Sequence, residues 1–133
     1  LDAVAPVLAT FTIKQTTGVD DLKDVNIGQP VKLTASGEIG PIGAGDILLG
    51  KLIDMTLTDR DNGKRLATVQ VGGICRLATS ATTPALGNRA VGGTIGTVKQ
   101  ATVLGAFDPA GGNVARGTVL SVNGSTDCVI LLN

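Results

Sequence analysis

Histidine, tryptophan and tyrosine are all absent from this chain of 133 residues, which leaves Phe11 and Phe107 as its only aromatic side chains. Without histidine, the side chain that most often serves as general base near neutral pH is gone. Cys75 has no imidazole to activate it, and no Ser-x-x-Lys arrangement supplies another nucleophile with its base. Glu38, the single glutamate, stands beside Gly37 in an expected bend, where a solvated carboxylate is the simpler reading. This inventory points away from an enzyme and nominates no catalytic, cofactor-binding or metal-ligating residue.

Neither sign of charge prevails: 11 Lys plus Arg balance 11 Asp plus Glu, scattered without runs. A nucleic-acid binder carries a basic stripe or aromatic stacking positions, and this chain has neither. No window is long and apolar enough to cross a bilayer as a helix. The opening residues carry Asp2 where a signal peptide needs positive charge, and Pro6, Thr10 and Thr12 interrupt their apolar run. The expectation is a protein with no signal peptide that binds neither nucleic acid nor membrane. Cysteine is sparse too. Cys75 and Cys128 lie far apart, each in an apolar, strand-like run, and read as two reduced core thiols. A bridge between two strands stays geometrically open, and the spacing matches no zinc site.

The length is that of one ordinary domain, which buries roughly two-thirds of its unfolded surface. Its core must come from Val, Ile, Leu and Ala, which bury less area per position than rings do, so self-association is a natural supplement. From Val7 the pattern has period two, with Val7, Ala9, Phe11 and Ile13 on one face and Leu8, Thr10, Thr12 and Lys14 on the other. Residues 16–29 are polar and read as a loop with at most one helical turn. Pro30–Ser36 alternates again, and Gly37, Gly40, Pro41, Gly43 and Gly45 then demand a bend. A long strand is expected over Ile47–Thr58, bulged at Gly50. Asp61-Asn62-Gly63-Lys64 predicts a tight hairpin, with a return strand through Ala67, Val69 and Val71 that breaks at Gly72-Gly73 and resumes at Ile74–Ala78. Thr79–Gly96 reads as a surface excursion with a short strand at Arg89–Val91. Strands follow at Thr97–Leu104, Thr118–Val122 and Cys128–Leu132, with turns at Phe107–Gly112 and Asn123-Gly124. The fold class is all-β: a small antiparallel β-barrel/sandwich, β-tulip-like, with an extended N-terminal arm. The expected division is arm and loop over residues 1–29 and barrel over 30–133, a single domain overall.

Two near-motifs fail on particular residues. Gly45 to Lys51 has the spacing of a phosphate-binding loop, but Leu52 replaces the Ser or Thr that ligates Mg²⁺ and no helix is expected after it. Asp59, Asp61, Asn62 and Gly63 look like a calcium loop, but the glycine falls one position early and no glutamate closes the shell. For recognition, two segments stand out: the Thr79–Gly96 excursion and the apolar arm. An extended arm with apolar anchors can add to a partner's sheet edge or complete its own barrel, and Leu1, Val4, Pro6, Val7 and Phe11 are the candidate partner contacts.

The order of features in Gly37–Ala78 carries a resemblance. An Ala44-Gly45-Asp46 turn precedes an apolar strand, and a second strand ends in polar residues. A return marked by Val69, Val71 and Gly73 and a Cys-Arg-Leu strand follow. Leu86-Gly87, Ala90-Val91 and Gly117–Leu120 continue the outline. In this the chain resembles the small capsid decoration (cement) proteins of tailed bacteriophages, the DUF2190-like family. The resemblance implies an all-β barrel that forms a homotrimer and binds the major capsid protein. It also implies a place on the outer capsid surface of an HK97-type virion, with no catalytic residues and no cofactor. An alternative is a phage fibre or adhesin module for host glycan, for which the missing Trp and Tyr leave no stacking platform. A trimeric all-β hydrolase is the third reading, weakened by the missing histidine.

Overall fold

Alternating segments separated by glycine turns give a fold built almost wholly of strands. The computed structural model describes residues 5–58, 63–80, 84–101 and 116–133. In chain order the strands are β1 (Val7–Ile13), β2 (Gln15–Thr16), β3 (Val19–Asp20), β4 (Pro30–Ala35), β5 (Glu38–Pro41) and β6 (Gly50–Thr58). They continue as β7 (Arg65–Ala78), β8 (Ala90–Gly92), β9 (Val98–Gln100), β10 (Thr118–Asn123) and β11 (Asp127–Leu132). A single 3₁₀ turn, Asp24–Asn26, is the only helical element among the described residues. The all-β expectation holds.

β1, β5, β4, β6 and β7 succeed one another around a closed five-stranded barrel, because β1 pairs with β7 as well as with β5. A ring of strictly antiparallel neighbours needs an even number of strands, so five strands require one parallel pair. That pair is β1 with β5, in register only at Thr12–Glu38 and Ile13–Ile39. The expected antiparallel barrel holds at every other barrel pairing, and ring closure is the reason for this one parallel pair. The Thr12 and Lys14 N–H groups donate to the Gly37 and Ile39 carbonyls at 2.9 Å to hold the short seam. Ile13, Leu22, Val31, Ile39, Leu52, Ala67 and Val69 fill the barrel, with Phe11, Leu49, Met55 and Val71 at its margin.

The expected division at residues 29 and 30 marks no boundary in the fold. Val7–Ile13 is barrel wall, and the expected loop after it contains the β2–β3 hairpin, the 3₁₀ turn and a fully buried Leu22. The hairpin turns on Thr17 and Gly18, both with positive φ (52° and 78°).

β7 leaves the barrel at its far end. It does not break at Gly72-Gly73 but continues for 14 residues, and from Gly73 to Ala78 it pairs with β11, which pairs in turn with β10. β8 and β9 form a small antiparallel pair, linked to the rest by bridges Thr79–Val98 and Ala90–Arg116. This half has its own core, including Cys75, Leu77, Ala90, Val98, Val119, Cys128, Ile130 and Leu132. Ile42 and Leu48 join it from the glycine-rich segment between β5 and β6. The short strand expected at Arg89–Val91 is β8, but it is buried cover and not part of a surface excursion.

Two further expectations differ. The bend at Gly37–Gly45 contains β5, whose Pro41 sits at a strand end where a missing N–H is tolerated. Ile47–Leu49 does not belong to β6, which starts at Gly50. The turn residues Asp61 and Asn62, and Phe107–Gly112, lie outside the described residues, as do residues 102–104 of the expected strand at Thr97–Leu104. The β6–β7 pairing from Lys51–Gln70 to Thr58–Arg65 nonetheless shows the hairpin those turn residues join.

At Gly50 the glycine serves close approach and not a bulge, because a Cβ there would overlap the Gln70 carbonyl oxygen. Gly50→Ala should therefore destabilise the fold by about 3 kcal/mol or more in urea unfolding. Gly124→Ala, at a positive φ with open space around it, should cost only about 1 kcal/mol. Equal costs would show that the two strands are not held this close.

Candidate functional site

Asp46 fastens the barrel to the second core. Its Oδ2 accepts from the Gly43 N–H at 2.8 Å and from Lys32 Nζ at 2.7 Å. The Gly45 N–H donates to the Gly92 carbonyl, and the Gly92 N–H to the Asp46 carbonyl, each at 2.8 Å. The turn is thereby tied to β8, and a Cβ at Gly92 would collide with the Gly43 carbonyl. The Lys32 hydrogen bond, and after it the Gly43 N–H, holds the Asp46 carboxyl below the usual carboxylate range. The Ala44-Gly45-Asp46 turn is thus a latch whose flanks bury Ile42 and Leu48.

Arg116 closes the same junction from the other side. Its guanidinium donates to the carbonyls of Leu49 and Val71, and at 3.5 Å to the Leu48 carbonyl and a main-chain oxygen of Asn133. Burial pulls its pKa down. Among the described residues no carboxylate forms an ion pair with it. Next to this group and Asp46 lies a cavity of about 580 Å³, which Lys14 and Lys32 also line. No local spacing marks it, since its walls come from Lys14 just after β1, from β4, from residues 46–49 and from Arg116.

Glu38 lies on β5 and not in a free bend. The Thr34 hydroxyl donates to it at 2.8 Å and Lys64 Nζ at 3.1 Å. Thr34 first, and Lys64 second, keep its carboxyl below the ordinary range, the opposite of what a general acid needs. Gly45 to Lys51, the phosphate-loop spacing, runs from the latch into β6, with no helix to receive a phosphate. Among the described residues no three acidic or cysteine side chains cluster to hold a metal; Asp59, Asp61 and Asn62 lie outside them. Cys75 and Cys128 are free, buried thiols on neighbouring β7 and β11. Burial pushes each up to about 11.

Of the expected partner contacts, Leu1 and Val4 lie outside the described residues. Pro6 and Val7 are exposed, Val7 at 57%. Phe11 is half-buried against the barrel core. Leu8, which sequence reasoning passed over, is 53% exposed. A register shift between Val7 and Leu8 leaves both of these consecutive side chains outside. The available signal was a leucine on a face otherwise made of Thr10, Thr12 and Lys14. This root is packed over the crossing in β7: Val7 sits 3.1 Å from where a Gly72 Cβ would be, and Ala5 and Pro6 equally near one at Gly73. No family model, curated protein or solved structure matches this chain.

The latch predicts an acid-sensitive contribution. The folded Asp46 pKa lies below the unfolded value of about 3.9. Its stabilisation is therefore complete above that value and is lost as pH falls through the folded pKa. Asp46→Asn should be less stable than wild type by about 1 kcal/mol near neutral pH. The gap should close below about pH 4, and a gap unchanged down to about pH 2 would exclude the ionic latch. The thiols give a second check. At neutral pH iodoacetamide should leave both unmodified in the folded chain and label both after denaturation, and fast labelling of either native thiol would mean the second core is open.

Proposed function

We propose that this chain is a structural virion protein, a decoration (cement) protein that binds as trimers to the outer surface of an HK97-type phage capsid. It ties neighbouring capsid subunits together against the pressure of packaged DNA. The observation that carries this reading is where the resemblance falls in the fold. Gly37–Ala78, the stretch similar to tailed-phage decoration proteins, supplies β5, β6 and β7, three of the barrel's five strands. It also supplies the Asp46 latch. The exposed apolar root at Pro6, Val7 and Leu8 is a fitting contact, since it leads directly into the N-terminal residues. Many weakly bound copies that recognise only the expanded shell stabilise it by mass action.

Deletion through Phe11 would remove most of β1 and open the barrel, so the test needs a narrower change. A chain lacking residues 1–4, and the variant Leu8→Asp, which leaves the packing of Ala5, Pro6 and Val7 over Gly72 and Gly73 in place, should keep the wild-type melting temperature. Each should lose at least about tenfold in cosedimentation with expanded HK97-type shells, and wild type alone should sediment as a trimer. Shell binding undiminished in both variants would remove the arm root as the contact. A wild-type chain that binds no such shell would remove the function.

A further inference from the structure

The cavity beside Asp46 is lined by charges that do not cancel. Lys14, Lys32 and Arg116 face it against the single carboxylate of Asp46, a surplus of two positive charges in a chain whose formal net charge is zero. Asp46 is already committed to Lys32 and the Gly43 N–H. Arg116 spends its donors on backbone carbonyls, which satisfy its N–H groups without neutralising it. Lys14 is exposed, and among the described residues its ammonium has no hydrogen bond or ion pair. Glu38 feels its charge but takes its hydrogen bonds from Thr34 and Lys64.

The remaining wall is apolar. Leu48 and Leu49 form part of the lining, and Leu33 and Ile47, 53% and 58% exposed, stand where an incoming ligand would cover them. A volume of about 580 Å³ falls within the roughly 300–1,000 Å³ typical of small-molecule sites. A ligand must therefore answer the cationic surplus at one end and the aliphatic wall along its length. We propose that this cavity binds a small amphipathic anion, a carboxylate or sulfate head on a short aliphatic chain. Lys14 donates to the head, Lys32 shares its ammonium between head and Asp46, and Arg116 supplies a fixed positive field. The aliphatic chain lies over Leu33 and Ile47. The site does not rest on the decoration role and stands or falls separately.

Titration calorimetry with octanoate and octyl sulfate tests it, with octanol and octylamine as matched probes lacking the negative head. Octanoate, octyl sulfate or both should bind saturably with one site per chain, at least tenfold tighter than octanol, and octylamine should not bind. Raising salt should weaken the interaction. Lys14→Met, which keeps the aliphatic stem, and Ile47→Asp should each weaken octanoate at least tenfold while melting as wild type does. Both positions are exposed, and Lys14→Gln repeats the charge test should the methionine perturb folding. No saturable binding of either anion, equal binding by the Lys14 variants, or octanol as tight as octanoate would each overturn the proposal.

Discussion

The fold depends on β7 serving two sheets. Through Gly72 the strand pairs with β1 and β6 and closes the barrel, and from Gly73 onward it pairs with β11. A strand that changes partners loses its ladder at the crossing, and buried backbone groups there must find other donors or acceptors. Gln70 supplies them: its buried amide donates to the Gly72 and Ile74 carbonyls at 3.1 and 3.0 Å. Gly73 takes φ 86°, and the root of β1 lies directly across the glycine pair. The start of the β1–β7 ladder and the passage into the second sheet therefore meet at one place.

A second connection keeps the halves from behaving as beads on one strand. The chain between β5 and β6 leaves the barrel, sinks Ile42 and Leu48 into the other core, and returns. Full burial of side chains of this size is worth about 1.5–3 kcal/mol each. The partly exposed Asp46–Lys32 pair contributes about 1 kcal/mol at most. The apolar anchors supply most of the joining energy, while Asp46, Gly92 and Arg116 determine where the segment sits. Beside them lies the cavity lined by Lys14, Lys32, Asp46 and Arg116.

The same economy shapes the surface. β1 is at once the strand that closes the ring and the strand whose first residues are exposed and apolar, so folding and any contact made through Pro6, Val7 and Leu8 share one element. The register shift after Val7 separates the two roles: Ile13 is enclosed in the core while Val7 and Leu8 stay outside. Any contact made at these residues is therefore made by the barrel wall itself.

Local chemistry was enough to place β4, β10, β11, the antiparallel pairing of β6 with β7 and the Asn123-Gly124 hairpin, because alternation and turn preference act over a few residues. The all-β class followed from the same signals, and two cysteines in apolar runs already indicated buried thiols. The short strand expected at Arg89–Val91 is β8, so its existence was legible too. Three features were out of reach. β5 is hidden among Gly37, Gly40 and Pro41, the burial of β8 falls in a segment that reads as surface, and Ile47–Leu49 has the pattern of a strand yet lies outside β6. In each, the outcome turned on which distant backbone or core arrived beside the segment: β1 and β4 for β5, the Asp46 turn and Arg116 for β8, the second core for Leu48. The cavity is the extreme case, since no two of its charged groups are close in sequence. Pattern within ten residues determined which segments extend and where they turn. The closed ring, its single parallel pair and the meeting of Lys14, Lys32, Asp46 and Arg116 were decided by tertiary structure, because strand partners and converging charges are chosen across the whole chain.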